Sequence, residues 1–218
     1  FRKLNDLEGI ALDPSGHIYA ITSHSRDSDG EEKASRERLL RFRIEADRVV
    51  APKVSNALKP ALLAAHPVLA AAAEIRDVKA GGGLNIEALD LSPDAQRLLI
   101  GESPAAIFDS GEAPRISARL ETLDLGGNGI RGMSWFPCLD GYLVIGGPVA
   151  REPVQFQLWF WSGRPGTPAR RVTIPGLPGL ERAEGVCPAV IDGRRRIVVV
   201  SDDGNRKEGR FARFLLLD

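Results

Sequence analysis

The sequence predicts an all-β chain, a β-propeller built from four-stranded antiparallel blades. Two observations carry that prediction. One hairpin pattern occurs four times, and its later intervals have the length of a propeller blade. Short apolar runs after the hairpins leave room for two outer strands per blade.

The four segments are 6–25 (DLEGIALDPSGHIYAITSHS), 85–104 (NIEALDLSPDAQRLLIGESP), 129–148 (GIRGMSWFPCLDGYLVIGGP) and 182–204 (RAEGVCPAVIDGRRRIVVVSDDG). Each opens with a charged residue and a small one, then an apolar strand, a turn with Asp, Gly or Pro, and a second apolar strand. Alternation interrupted by that turn chemistry is the signature of a β-hairpin. The opening charges are Glu8, Glu87, Arg131 and Glu184, spaced 79, 44 and 53 residues apart. The last two intervals fit a four-stranded blade of roughly 40–50 residues. Third strands are expected at 38–44, 154–161 and 210–217, and a fourth at 169–174. Residues 1–4 are placed to add a fourth strand to the last blade and so close the ring.

The long first interval holds an insertion at about 57–80, rich in Ala and Leu, read as one or two short helices interrupted at Pro67. The whole chain, 1–218, is expected to form one propeller domain. Four blades are visible, and the abrupt start at Phe1 suggests upstream sequence and a ring of five or six. No Trp-Asp dipeptide ends a strand, which disfavours the seven-bladed WD type.

Lys and Arg together number 29, as do Asp and Glu, so no net charge favours nucleic acid or an anionic membrane. No apolar run is long enough to span a bilayer. Cys138 and Cys187 form neither a CxxC pair nor a zinc spacing, and their disulfide status is left open. The compartment, cytoplasmic or periplasmic, is open too.

In an antiparallel meander the start of each first strand and the end of each second strand share one face of the disc. That face collects Glu8, Glu87, Arg131 and Glu184 from the strand starts. From the strand ends it collects Ser23-His24-Ser25-Arg26, Glu102 and Asp202-Asp203. Three converging carboxylates repel unless a cation, a positive side chain or a bound proton compensates them. Glu8, Glu87 and Glu184, helped by Asp202 or Asp203, are therefore candidate ligands for Ca²⁺, which takes carboxylate oxygens. The competing reading has each Glu bonded within its own blade, with Arg131 as a partner for these acids. His24 is the candidate general acid or base, with Ser23 or Ser25 as nucleophile. Arg26 and Arg131 are candidates to contact substrate. His17, in a turn, and His66, before Pro67, read as surface residues.

Gly127-Asn128-Gly129-Ile130-Arg131-Gly132 fits GxGxxG, but a nucleotide fold needs a helix after it, and a hairpin with Pro137 follows. Phe156, Trp159, Phe160 and Trp161 read as packing between blades.

Ser23-His24-Ser25-Arg26, Asn85-Ile86-Glu87, Gly129-Ile130-Arg131-Gly132 and Ser201-Asp202-Asp203-Gly204, in that order, resemble a bacterial β-propeller family grouped only as a domain of unknown function. The resemblance covers essentially the whole chain and implies the propeller fold, with no established activity. Ala88 stands where that family more often has Gly, and Glu102 where a basic residue is usual. The pairs Glu8-Gly9 and Glu184-Gly185 are more distantly similar to openings in esterase-like phytase and gluconolactonase-type propellers. In the latter, a Glu at such an opening is a metal ligand. The expected function is a Ca²⁺-assisted hydrolase of an ester, lactone or phosphoester. Its rival is a non-catalytic propeller that binds a small molecule or protein on the channel face.

Overall fold

The computed structural model describes residues 4–99, 107–109, 113–148, 156–174, 182–202 and 204–218. The chain is predominantly β, in three antiparallel sheets. It divides into two compact units, Phe1–Leu120 and Glu121–Asp218.

The first unit holds a four-stranded meander, β1 (Leu7–Leu12), β2 (Ile18–Thr22), β3 (Leu39–Glu45) and β4 (Arg48–Ser55), paired in chain order. The β1–β2 turn forms because Asp13 Oδ1 accepts the backbone N–H groups of Ser15 (2.8 Å) and His17 (2.9 Å). The β3–β4 connection has positive φ at both Ala46 and Asp47, the two-residue turn whose twist suits a hairpin. β2 is covered on both faces and reads as an unbroken apolar run, whereas β1 alternates and is covered on one. Three short helices follow: α1 (Leu58–Ala65), α2 (Pro67–Ala73) and α3 (Val78–Gly81). Leu58 and Leu62 fix α1 into the core with Ile21, Leu39 and Leu89.

His66 corrects the surface reading. It is only 7 % exposed, because the turn between α1 and α2 folds it inward. Its backbone N–H donates to Leu62 O at 3.0 Å, and its carbonyl accepts from Leu69 (2.9 Å) and Ala70 (3.1 Å). The expected hairpin at 85–104 contracts to one bridge, Leu91 to Leu98, with 100–104 outside the described residues.

The second unit repeats the meander as β5 (Gly129–Phe136), β6 (Gly141–Gly147), β7 (Gln157–Trp161) and β8 (Arg170–Val172). The start of the expected strand 154–161 lies outside the described residues. β5 follows a turn with positive φ at Gly126 and Gly127 and leads directly into β6 as a hairpin, in keeping with rejection of the nucleotide motif. Trp161 stacks on Tyr142 at 5.5 Å, and Phe156 and Phe160 pack on the core built from Phe136, Leu143 and Ile145. The third sheet, β9 (Ala183–Ile191), β10 (Arg194–Ser201) and β11 (Phe214–Leu217), turns at Asp192-Gly193, both with positive φ. The strand proposed for residues 1–4 falls mostly outside the described residues. Among those described, no helix is long and apolar enough to cross a membrane.

One irregularity occurs three times. The β1–β2 register passes from Leu7–Thr22 to Gly9–Ile21 and skips Glu8. The β5–β6 register passes from Ile130–Gly146 to Gly132–Ile145 and skips Arg131. The β9–β10 register passes from Ala183–Ser201 to Gly185–Val200 and skips Glu184. Each opening charge is thus the extra residue of a β-bulge, which bends the strand and re-aims that side chain.

The glycine after the bulge has its own reason. A Cβ on Gly9 would lie 2.6 Å from the Leu89 backbone nitrogen, and one on Gly132 2.6 Å from the Glu184 carbonyl oxygen. Only a residue without a side chain lets a strand approach the backbone of Leu89, or another strand at Glu184, this closely.

Candidate functional site

The end of β2 carries the densest polar arrangement of the first unit. Ser23 N–H donates to Asp6 O (2.9 Å), His24 N–H to Arg36 O (2.8 Å), and Ile86 N–H returns to Ser23 O (2.8 Å). These bonds hold His24 at φ 54°, a left-handed conformation that costs a non-glycine residue on the order of 1 kcal/mol. Such strain persists where the surroundings over-determine it, and it is concentrated at functional positions.

His24 is 1 % exposed. Its Nδ1 lies 2.7 Å from Thr22 O. A carbonyl only accepts, so Nδ1 carries the proton and Nε2 the lone pair. Nε2 is buried without a hydrogen-bond partner. Leaving a buried acceptor unpaired costs about 1–3 kcal/mol, which a merely structural histidine would be expected to avoid.

His24 adjoins a recess of about 150 Å³, counted with the solvent at its mouth and too narrow for a water molecule. Arg26 and Lys59 line it on the polar side, and Ala72, Ala73, Ile75, Val78 and Leu84 form the apolar wall. Arg26 Nε donates to Ala73 O (2.9 Å), and its Nη2 lies 3.6 Å from Glu32 and 3.8 Å from Glu74. Lys59 Nζ donates to Glu37 (2.5 Å) and Glu32 (3.1 Å). Both cations are therefore already balanced by carboxylates.

The serines are committed elsewhere. Ser23 and Ser25 hydroxyls share a hydrogen bond of 2.9 Å, and Arg36 Nη1 donates to Ser25 Oγ (2.9 Å) while pairing with Asp6 (2.8 Å). The structure thus brings His24 and Arg26 to one recess and leaves no Ser–His hydrogen bond at Nε2. Sequence reasoning missed Lys59, Glu32 and Glu37. The available signal was a lone lysine inside the apolar run ALKPALLAA.

The candidate metal ligands divide between the units, Glu8 and Glu87 in the first, Glu184 and Asp202 in the second. Asp203 and Glu102 lie outside the described residues. Glu8, Glu87 and Glu184 are half-buried, while Asp202 is exposed. Asn85 Nδ2 donates to Glu87 Oε1, and Arg131 Nη2 lies 3.9 Å from Glu184 Oε1. Among the described residues no three His, Cys, Asp or Glu side chains are gathered in a way that would hold a metal ion.

The buried imidazole makes a pH prediction. Burial pushes His24 below its ordinary value of 6.5, with Lys59 in the same direction and the Thr22 bond and Glu37 opposing. Unfolding restores the ordinary value, so the unfolded chain binds more protons over this range. The stability contributed by neutral His24 is complete above 6.5 and is lost as pH falls from there toward the depressed folded value. Urea titrations from about pH 7.5 down to about pH 5.5 are expected to show falling stability. His24→Asn keeps a residue at ease in the left-handed region and is expected to flatten that slope.

No protein-family model matches the chain, and no curated protein is significantly similar to it.

Proposed function

We propose that this chain is a β-propeller that binds a small ligand at the end of β2, without catalysing a reaction on it. Three features support the propeller. The sheets are meanders in chain order. Their first hairpins share a bulge at the opening charge. Gly132 of β5 permits the close approach to β9 that neighbouring blades require at their inner edges, and Gly9 a like approach to the backbone at Leu89.

The observation that carries the binding reading is the unpartnered Nε2 of His24, buried and held on a strained backbone. Nucleophilic catalysis through a Ser–His pair has no support here, because Ser23 and Ser25 are hydrogen-bonded to each other and to Arg36 and not to Nε2. A thermal-shift screen of small metabolites against wild type and His24→Asn tests the reading. Compounds that raise the melting temperature of wild type alone are expected. Turnover of generic esters or phosphoesters that disappears in His24→Asn would contradict it.

A second reading, the Ca²⁺-assisted hydrolase of an ester, lactone or phosphoester, is favoured by one observation. Glu8 and Glu184 occupy the same bulged position, where a side chain is re-aimed. Carboxylates are the oxygen donors that Ca²⁺ takes, and Ca²⁺ supplies Lewis-acid chemistry where it is bound. On this reading Ca²⁺ raises both the melting temperature and ester hydrolysis, and Glu184→Gln abolishes both gains. Ca²⁺ without effect on either sinks it.

A further inference from the structure

We infer that the His24 recess takes a small uncharged hydrogen-bond donor, an alcohol or primary amide with a short apolar body, admitted when α2 and α3 lift away. The inference rests on the binding reading above and narrows its ligand class. Nε2 is an acceptor only, since Nδ1–H is spent on Thr22 O. An anion finds no free positive charge here, because Arg26 and Lys59 already face Glu32, Glu37 and Glu74. A cation finds no uncompensated carboxylate either, because Glu32, Glu37 and Glu74 are engaged by the same two side chains. What remains of the lining is apolar. An unpaired buried acceptor whose neighbours are apolar or already charge-balanced discriminates between a molecule with a donor and an isostere lacking one.

The recess opens to solvent at its mouth but is too narrow for a water molecule, so entry requires its walls to move, and the helices differ in what holds them. α1 is anchored by Leu58 and Leu62 in the core. α2 and α3 are short and are held by the partly buried Leu69 against the core, the small buried side chain of Ala73, the Arg26–Ala73 and Leu84–Ala72 hydrogen bonds, and the ion pairs Arg26–Glu74 and Arg76–Glu31. A segment with so few large buried groups opens at low cost.

The test follows the His24 Nε2 resonance in protein labelled with ¹⁵N-histidine, assigned with His24→Asn. The probes are propan-2-ol, propionamide, acetone and inorganic phosphate. A saturable shift with propan-2-ol or propionamide is expected, at lower concentration in Arg76→Ala because the open form is more populated. Acetone, shaped like propan-2-ol but without a donor, is expected to leave the resonance in place. Acetone or phosphate moving it as far as the donors do would overturn the ligand class while leaving a site at His24. No probe moving it in either protein would overturn the ligand class and the site together.

Discussion

Gly9→Ala and Gly132→Ala are each expected to destabilise the protein by about 3 kcal/mol, and Gly185→Ala by about 1 kcal/mol. All three glycines follow a bulged charge, so their sequence contexts are alike. What their Cβ atoms would meet is not. At Gly9 the nearest atoms are Leu89 N (2.6 Å), Leu89 Cβ (2.8 Å) and Ile21 Cγ2 (2.9 Å). At Gly132 they are the Glu184 carbonyl oxygen (2.6 Å) and carbon (3.2 Å) and Gly185 Cα (3.3 Å), all backbone. Backbone cannot yield without parting two strands. At Gly185 the first obstacle is Val200 Cγ2 at 2.7 Å, the tip of a half-exposed side chain that can turn aside. Urea denaturation of the three variants checks the order, and equal losses at all three would refute the packing argument.

The second large effect is at Lys59. Its amine is nearly buried, on two carboxylates whose side chains are 25 % (Glu37) and 55 % (Glu32) exposed. Breaking a fully buried pair costs about 3–5 kcal/mol. Water reaches these acids and screens them, so Lys59→Met is expected to cost about 2 kcal/mol, its aliphatic stem being preserved. A charge effect accompanies it. Lys59 holds the His24 titration down and Glu37 holds it up, so the variant should raise the His24 midpoint toward 6.5. NMR titration of the imidazole measures that shift directly. A midpoint that stays put, or moves lower, would show that Lys59 does not sense His24.

How far the fold was legible depended on the range of the interactions. Turns were readable because their causes are local: Asp192-Gly193 sits where both residues need positive φ. The charged openings at Glu8, Arg131 and Glu184 were visible too, but the bulge that makes them special was not, since it exists only in the register with a partner strand. The 85–104 segment carried the same pattern, yet its described part, 85–99, shows one bridge, so pattern alone does not fix how far a ladder extends. His24 and Arg26 were legible as polar residues at a strand end. Lys59 was not, because its meaning comes from Glu37 and Glu32, 22 and 27 residues away in sequence. His66 looked solvent-facing beside Pro67 for the same reason: a helix–helix turn buries it, and only the packing of α1 and α2 shows that.

The most direct measurement is the pair of ¹⁵N shifts of the His24 ring at neutral pH in the ligand-free protein. A protonated Nδ1 and a bare, unbonded Nε2, unchanged by added Ca²⁺, are the expected result. A charged imidazolium, or a proton on Nε2, would remove the buried acceptor on which the proposed site is built.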